Sequence, residues 1–286
     1  MLVYKTYYNL TKPGIIYGNA LTVAAGFLLA SDGDIHIVLL AMTLLGVSLV
    51  IASGCVFNNY LDREIDAVMT RTKKRAMVRG IIPVKNALLF GTVLGIIGLF
   101  LLARFANPLT CLLGVIGLIF YVIVYGIAKR RSVYGTLVGS VSGALPPVAG
   151  YTAVSGQLDM GALILFLILV CWQMAHFYAI AMYRRDEYKA AGIPVLSVKK
   201  GLKATRSQVL IYVIGFIITT TLLTLYGYTG YVYLIVILVL GFVWLYKGTF
   251  GIKTKDYKLW GRKMFMFSLI VLLSFSALIS VGSLLP

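Results

Sequence analysis

The sequence predicts an all-α integral membrane protein: nine transmembrane helices around a central cavity that opens to the cytoplasmic side. Of its 286 residues, 60% are apolar and 12% are charged, whereas charged residues make up about 25% of an ordinary soluble domain. Nine apolar runs are long enough to cross about 30 Å of hydrocarbon, and helices satisfy their own backbone polar groups in lipid. The predicted spans, within one membrane domain of residues 1–286, are 14–31, 36–57, 84–104, 108–128, 133–154, 160–182, 208–226, 230–246 and 265–285.

The basic residues follow the order of these spans. The N-terminal segment and the loops after the second, fourth, sixth and eighth spans hold all of the 26 Lys and Arg residues except Arg104, when Lys85 at the start of the third span is counted with the loop before it. Cytoplasmic loops carry such an excess of basic residues, so we expect the N-terminus inside, the C-terminus outside and a multi-pass location in the cell (cytoplasmic) membrane. Attraction to the anionic lipid bilayer accounts for much of the net charge of +17, and we expect no nucleic-acid partner.

The chain begins with a segment that predicts an interfacial position. Tyr4, Tyr7 and Tyr8 lie among the first fourteen residues, and aromatic rings favour the headgroup level of a membrane. Pro13 then stands where the first apolar run begins. Proline is well suited to the first position of a helix, so the first span is expected to start there.

The fifth span differs in composition from the others. Gly135, Gly139 and Gly143 are spaced four apart, which predicts a small-residue face where another helix approaches closely. Pro146 and Pro147 follow, and they interrupt backbone hydrogen bonds in a way that membranes tolerate where protein or a cavity covers the freed carbonyls. We expect the double proline to form part of a cavity wall.

The first polar stretch, residues 58–79, follows the second span. Asn58, Asp62 and Asp66 are spaced four apart, so on a helix they share one face, with about 40° of drift per step over roughly 12 Å. This face predicts a site for a divalent metal. The alternative is a hydrated helix end whose acids form ion pairs with neighbouring bases, which is common for such runs.

A second polar stretch follows the sixth span. His176, Asp186, Glu187 and Lys189 lie in it, and its helix runs through the membrane in the same direction as the second span. Two carboxylate sets facing one cavity, each flanked by bases, suit a diphosphate bridged by Mg²⁺. Metal and cations would stabilise the leaving diphosphate as an allylic C–O bond ionises, so a lipid diphosphate is the expected substrate.

Several stretches resemble a known family. NNYLDREID, followed by RTKKR, resembles the NxxxDxxxD signature of the UbiA superfamily of intramembrane prenyltransferases. LTKPGI at 10–15, YGIAKRRS at 125–132, SGALPPVAGY at 142–151 and the long stretch at 172–198 resemble its heme-modifying branch, in the same order. The first motif identifies only the superfamily, and the last is specific to this branch. The resemblance implies a UbiA-type bundle of nine helices, a Mg²⁺ cofactor and a polyprenyl diphosphate substrate.

The resemblance also implies roles for individual residues. Asn58, Asp62 and Asp66 would hold Mg²⁺ and diphosphate, and Asp186 would belong to a second site. The full predicted sets are Asn58, Asp62, Asp66, Asp186 and Glu187 as metal ligands; Asp62, Asp66 and Asp186 as catalytic residues; and Lys12, Arg63, Arg71, Lys74, Arg75 and Lys189 as diphosphate-binding residues.

The implied reaction attaches farnesyl, from farnesyl diphosphate, to a vinyl group of heme B and adds water, giving heme O and diphosphate. His176 is the candidate heme residue, because neutral imidazole is a common iron ligand. A buried histidine that hydrogen-bonds a neighbouring helix is an equally weighted alternative. The implied partners are farnesyl diphosphate, heme B and a heme A synthase or a terminal oxidase assembly pathway.

Two other functions share much of this pattern. A UbiA-type prenyltransferase acting on an aromatic quinone precursor should have spaced aspartates in its second motif, where this chain has Tyr183, Asp186 and Glu187. A heme-handling transporter without catalysis would use the same cavity for passage. It would be expected to place polar groups near mid-bilayer or on both sides, whereas the ionisable residues here are predicted on one side.

Overall fold

The computed structural model describes residues 2–251 and 256–282, and every regular element within those ranges is helical. In chain order the α-helices are α1 (Leu2–Leu10), α2 (Pro13–Ser31), α3 (Ile37–Leu61), α4 (Arg63–Val68), α5 (Val84–Phe105), α6 (Pro108–Ile119), α7 (Tyr125–Arg131), α8 (Gly135–Ser155), α9 (Met160–Tyr183), α10 (Arg185–Ala190), α11 (Leu196–Lys199), α12 (Gly201–Leu225), α13 (Tyr231–Tyr246) and α14 (Tyr257–Ser280).

Nine helical stretches in the described ranges are long and apolar enough to cross a membrane. Seven of them are α2, α3, α5, α8, α9, α12 and α14, and the other two are the composite stretches Pro108–Arg131 and Tyr231–Phe250. The all-α class and the number of spans are therefore confirmed, and the chain is a multi-pass membrane protein. Pro13 lies in the first turn of α2, as its position at the start of the apolar run predicted.

The largest buried core surrounds α9. This helix packs against α8, α12 and α14, and the core contains the fully buried rings of Phe216, Tyr233, Trp244, Trp260 and Phe275. By contrast, the outer faces of α5 and α13 expose large apolar side chains such as Phe100 and Phe242. Apolar side chains are stable there because the surrounding lipid is apolar.

Helices α2 and α8 meet backbone to backbone. A Cβ at Gly26 would lie 2.0 Å from the carbonyl oxygen of Pro147, and one at Gly150 would lie 2.0 Å from that of Val23. The glycines are therefore required for this contact. Pro147 lies inside α8 at the point where α2 covers it, which is how a membrane helix accommodates an interrupted hydrogen-bond ladder.

The predicted small-residue face of α8 is also a packing face. A Cβ at Gly135, Gly139 or Gly143 would lie within 3.0 Å of a neighbouring residue: Lys129, Tyr125 and Gln173, respectively. All three glycines line the central cavity, and so does Pro146. The expectation that the double proline forms part of a cavity wall thus agrees with the position of Pro146.

Two features of the fold place the charged residues. Beyond the end of α3, the Asp62 N–H donates to the Asn58 carbonyl at 2.9 Å and the Asp66 N–H donates to the Asp62 carbonyl at 2.8 Å, so the helical spacing of these three residues continues into α4. The second feature, not predicted from sequence, is a π-helical turn at Phe120–Val124. Such turns are frequent at functional sites, and this one leads into α7.

Replacing Gly26 with alanine is expected to destabilise the bundle by about 1–3 kcal/mol, because the carbonyl that the new methyl meets is backbone and cannot rotate away. Gly18→Ala is the matched control, since it adds the same methyl to α2 with no atom within 4 Å. Thermal unfolding of the purified protein in detergent, followed by circular dichroism, measures the difference. Equal midpoints for the two variants would contradict the contact between α2 and α8.

Candidate functional site

A cavity of about 580 Å³ occupies the centre of the bundle. Its walls are mostly apolar and come from α2, α3, α6, α8 and α9. The charged groups and the Asn58 amide gather where α2 begins and where α3 and α7 end, so they form a polar mouth to a mostly apolar chamber. This mouth is lined by Lys12, Asn58, Asp62, Asp66, Arg71, Arg75 and Lys129.

Two buried carboxylates define the mouth. Asp62 and Asp66 are each 4% exposed. Asp66 Oδ2 accepts from Arg75 Nη1 at 2.5 Å, and Asp62 Oδ2 accepts from Lys129 Nζ. Buried carboxylates are costly unless paired, and these cations come from separate parts of the chain. The alternative predicted ion pairs with neighbouring bases, which agrees with the Asp66–Arg75 pair, but the burial of both acids contradicts a hydrated helix end.

Some of the donor and acceptor capacity at the mouth is unused. Asp62 Oδ1 is buried without a hydrogen-bond partner among the described residues, and Arg130 Nη2 approaches it only to 3.5 Å. Asn58 Nδ2 is likewise buried with no partner in that part of the chain. Buried polar groups are nearly always hydrogen-bonded, so a carboxylate oxygen and an amide donor that both lack hydrogen bonds in the lining of one cavity indicate a ligand site.

Lys12 enters the mouth from the segment before α2. Its ammonium Nζ donates to Asn58 Oδ1 at 2.6 Å, and its backbone has φ 54° and ψ 66°, a left-handed conformation that costs a non-glycine residue about 1–2 kcal/mol. Burial lowers the pKa of Lys12 to about 8, with the nearby Arg75 and Lys129 cations adding to the effect. A bound anion would offset both the cost of burying the Lys12 ammonium and its repulsion by Arg75 and Lys129.

The other predicted diphosphate-binding cations divide into two groups. Arg71 and Arg75 line the cavity with Lys12, whereas Arg63, Lys74 and Lys189 do not. The Arg63 guanidinium lies 4.4 Å from the centre of the Tyr60 ring and pairs with Glu64. Lys74 lines a separate pocket of about 210 Å³ beside α1, and Lys189 is exposed.

The predicted second carboxylate pair also lies outside the cavity. Asp186 is exposed, and Glu187 Oε1 accepts from Arg184 Nη1 at 3.2 Å. Within the described residues no three His, Cys, Asp or Glu side chains form a group that could hold a metal ion. The structure therefore brings together Asn58, Asp62 and Asp66 but not the full predicted set of five ligands.

Lys129 of the mouth and the neighbouring cavity-lining residues Tyr121 and Tyr125 were not among the predicted site residues. The Tyr121 and Tyr125 rings stack with centroids 5.9 Å apart, and Lys129 Nζ lies 5.5 Å from the Tyr125 ring. The positive-inside pattern by itself accounts for the basic end of the fourth span, so it does not mark Lys129 as a site residue. The sequence signal that could have identified these three residues is their i, i+4, i+8 spacing, which repeats the pattern of Asn58, Asp62 and Asp66.

His176 lies farther along the chamber wall, on α9. It is 8% exposed, and it lines the cavity. Its Nδ1 is 2.7 Å from Ser268 Oγ of α14, and its ring stacks on Trp172 with centroids 4.7 Å apart. The imidazole therefore hydrogen-bonds a neighbouring helix, as one alternative predicted, and it also lines the cavity, while its role toward heme stays a prediction.

Comparison with known sequences assigns most of the chain to one family. A model of the UbiA prenyltransferase family matches residues 19–270. The protoheme IX farnesyltransferase of Yersinia pestis (strain Pestoides F) is 53% identical over 281 residues, which cover 98% of this chain and 95% of that protein. The protoheme IX farnesyltransferase of Sodalis glossinidius (strain morsitans) is 53% identical over 287 residues, covering 100% and 97%.

Solved structures share the fold. A structure of digeranylgeranylglyceryl phosphate synthase aligns with a TM-score of 0.82 at 24% identity, covering 99% of both chains. A UbiA homologue from Archaeoglobus fulgidus, bound to GPP and Mg²⁺, aligns with a TM-score of 0.71 at 15% identity, covering 96% of this chain and 100% of that one. The predicted UbiA-type bundle is therefore confirmed.

Binding of inorganic pyrophosphate to the purified protein, measured by calorimetry, tests which cations serve the mouth. Arg71→Met removes a cation that lines the cavity and is expected to weaken binding at least tenfold, since a hydrogen bond to a charged group contributes about 1.5–3 kcal/mol. Arg63→Met removes a cation that does not line the cavity, and the affinity of this variant for pyrophosphate should stay within about twofold of wild type. Equal losses in the two variants would reject this division of the arginines.

Proposed function

The chain belongs to the UbiA prenyltransferase family, and from that membership we propose that it transfers farnesyl from farnesyl diphosphate to a vinyl group of heme B, giving heme O. The observation that carries the proposal is the 53% identity, over nearly the whole chain, to proteins named protoheme IX farnesyltransferase. The cavity supports it, because a cationic mouth beside an apolar chamber suits a diphosphate that carries a lipid tail.

In the proposed reaction, the bond between farnesyl C1 and the diphosphate oxygen breaks, and its electron pair leaves with diphosphate. The terminal vinyl carbon of heme B bonds to C1, which leaves a cation on the inner vinyl carbon. Water adds to that carbon and loses a proton. Farnesyl diphosphate, heme B and water thus yield heme O, diphosphate and a proton.

The oxygen donors of the mouth fit Mg²⁺. Asn58, Asp62 and Asp66 present amide and carboxylate oxygens along one helical face, and Asp62 Oδ1 is buried without a hydrogen-bond partner in the described part of the chain. Mg²⁺ binds through one or two carboxylates together with substrate phosphates. When bound, it would neutralise part of the charge that develops on the departing diphosphate.

The chain's own cations complete this neutralisation. Lys129 and Arg75 are held at the mouth by their ion pairs with Asp62 and Asp66, so they are already oriented before a diphosphate arrives. Preorganised charges of this kind favour the transition state without reorganising during the reaction. Lys12 and Arg71 add two further cations to the cavity lining.

The chamber beyond the mouth would exclude bulk water and hold both organic groups. Val50, Leu113, Leu145 and Leu272 contribute to its apolar lining, which suits a farnesyl chain. We assign His176 to the heme, as a contact or an iron ligand, because it is the histidine that lines this cavity within the described residues. Asp186, Glu187, Arg63, Lys74 and Lys189 do not line the cavity, so this proposal assigns them no role there.

We also propose a location and a product route. The distribution of Lys and Arg favours a cytoplasmic N-terminus, and the polar mouth lies on that side because α2 begins there. The active site would then face the cytoplasm from the cell membrane. Heme O would pass to a heme A synthase or to the assembly of a terminal oxidase.

Product formation by purified enzyme, identified by mass spectrometry, tests the proposal. With heme B, farnesyl diphosphate and Mg²⁺, wild type should form heme O, and Asp62→Asn or Asp66→Asn should lower the rate at least 100-fold, about 2.7 kcal/mol. Glu64→Gln is the matched control, because it removes an acid from the same motif whose side chain is 77% exposed. Full activity in either aspartate variant would reject the assignment of the mouth.

Two further conditions separate the alternatives. Chelation of divalent metal should stop product formation, and added Mg²⁺ should restore it. Supplying an aromatic carboxylic acid in place of heme B should give no prenylated product. A prenylated acid, with no heme O from heme B, would favour the enzyme that acts on quinone precursors.

A further inference from the structure

We propose that Ser268 is a positioning residue that holds His176 in the tautomer protonated at Nδ1, leaving Nε2 as an electron-pair donor to a metalloporphyrin in the cavity. The inference rests on the proposed function, because it takes the iron of the heme substrate as the group that Nε2 meets. Ser268 lies on α14, whereas His176 lies on α9, and the two helices pack together.

The hydrogen bonds of Ser268 determine the tautomer. Its Oγ is 2.6 Å from the Phe265 carbonyl oxygen and 2.7 Å from His176 Nδ1. Two oxygens at 2.6 Å require a proton between them, and a hydroxyl has one proton to donate. Because that proton is directed to the carbonyl, Oγ accepts from Nδ1. Neutral imidazole carries one N–H, so Nε2 keeps a free electron pair.

The surrounding rings fix the plane of the imidazole. Trp172 Nε1 donates to the Ser268 carbonyl at 2.8 Å, and the Trp172 ring stacks on His176 at an interplanar angle of 24°. Phe265 and Phe177 contact the imidazole with ring centroids at 4.9 and 5.2 Å. Ser268 thus holds, through its backbone and side chain, two aromatic residues that lie one turn apart on α9.

We infer that Nε2 faces the cavity. His176 lines the cavity and is 8% exposed as a residue. Nε2 is not among the fully enclosed side-chain atoms that lack a hydrogen-bond partner in the described residues, which agrees with an Nε2 that is accessible from the chamber. A neutral histidine whose other nitrogen donates to a second residue is the usual arrangement of a histidine metal ligand.

Spectral titration of the purified full chain in detergent, with ferric protoporphyrin IX and with iron-free protoporphyrin IX, tests the assignment. Ser268→Ala is expected to lower the affinity for the ferric porphyrin about 10-fold or more and to move its Soret band toward that of His176→Ala. The affinity for the iron-free porphyrin should change less than twofold, because the cavity walls remain. Ser276→Ala, the matched control, should behave as wild type, since that buried hydroxyl of α14 has no partner among the described residues.

The other outcomes overturn the inference. If Ser268→Ala weakens the binding of both porphyrins equally, Ser268 contributes to packing rather than to iron ligation. If His176→Ala leaves the Soret band of the ferric complex unchanged, no ligation occurs, although heme can still be the acceptor. If wild type binds neither porphyrin, the proposed function fails together with the role of Ser268.

Discussion

The arrangement of this bundle depends on the burial of two carboxylates at the end of a membrane helix. Asp62 and Asp66 are each 4% exposed, and isolated charges in such surroundings cost several kcal/mol each. Their cations come from elsewhere in the chain, with Lys129 at the end of α7 and Arg75 in the loop after α4. The pairing therefore ties the second span, the fourth span and the intervening loop into one mouth.

Close helix contacts shape the apolar chamber beyond the mouth. Because Gly26 and Gly150 let α2 touch the backbone of α8, these two helices form a continuous wall beside the ion pairs. On the other side, Gly143 leaves room for the Gln173 amide, whose Oε1 would lie 2.0 Å from a Cβ at that position. Small residues at helix interfaces thus set the shape of the cavity, while large apolar side chains face outward to lipid.

Much of this arrangement was predictable where it depends on local spacing. The nine apolar runs and the helical repeat of Asn58, Asp62 and Asp66 are local patterns, and both agree with the structure. The role of Lys129 depends on a contact 67 residues away in sequence, and no local pattern specifies such a pairing. Asp186 and Glu187 are predicted to face the first carboxylates. However, the shared direction of the second and sixth spans does not determine where the side chains that follow each span point.

The chamber has two chemically distinct parts held by different pairs of helices. At the mouth, α3 and α7 supply charges that suit an anionic leaving group. Deeper in, α9 and α14 supply Trp172, His176 and Ser268, which suit a planar group with a metal at its centre. The two sets share no residue, so under the proposed function the diphosphate would be bound by α3 and α7 and the acceptor would be recognised at the contact between α9 and α14. A substitution in one set would then leave the other set in place.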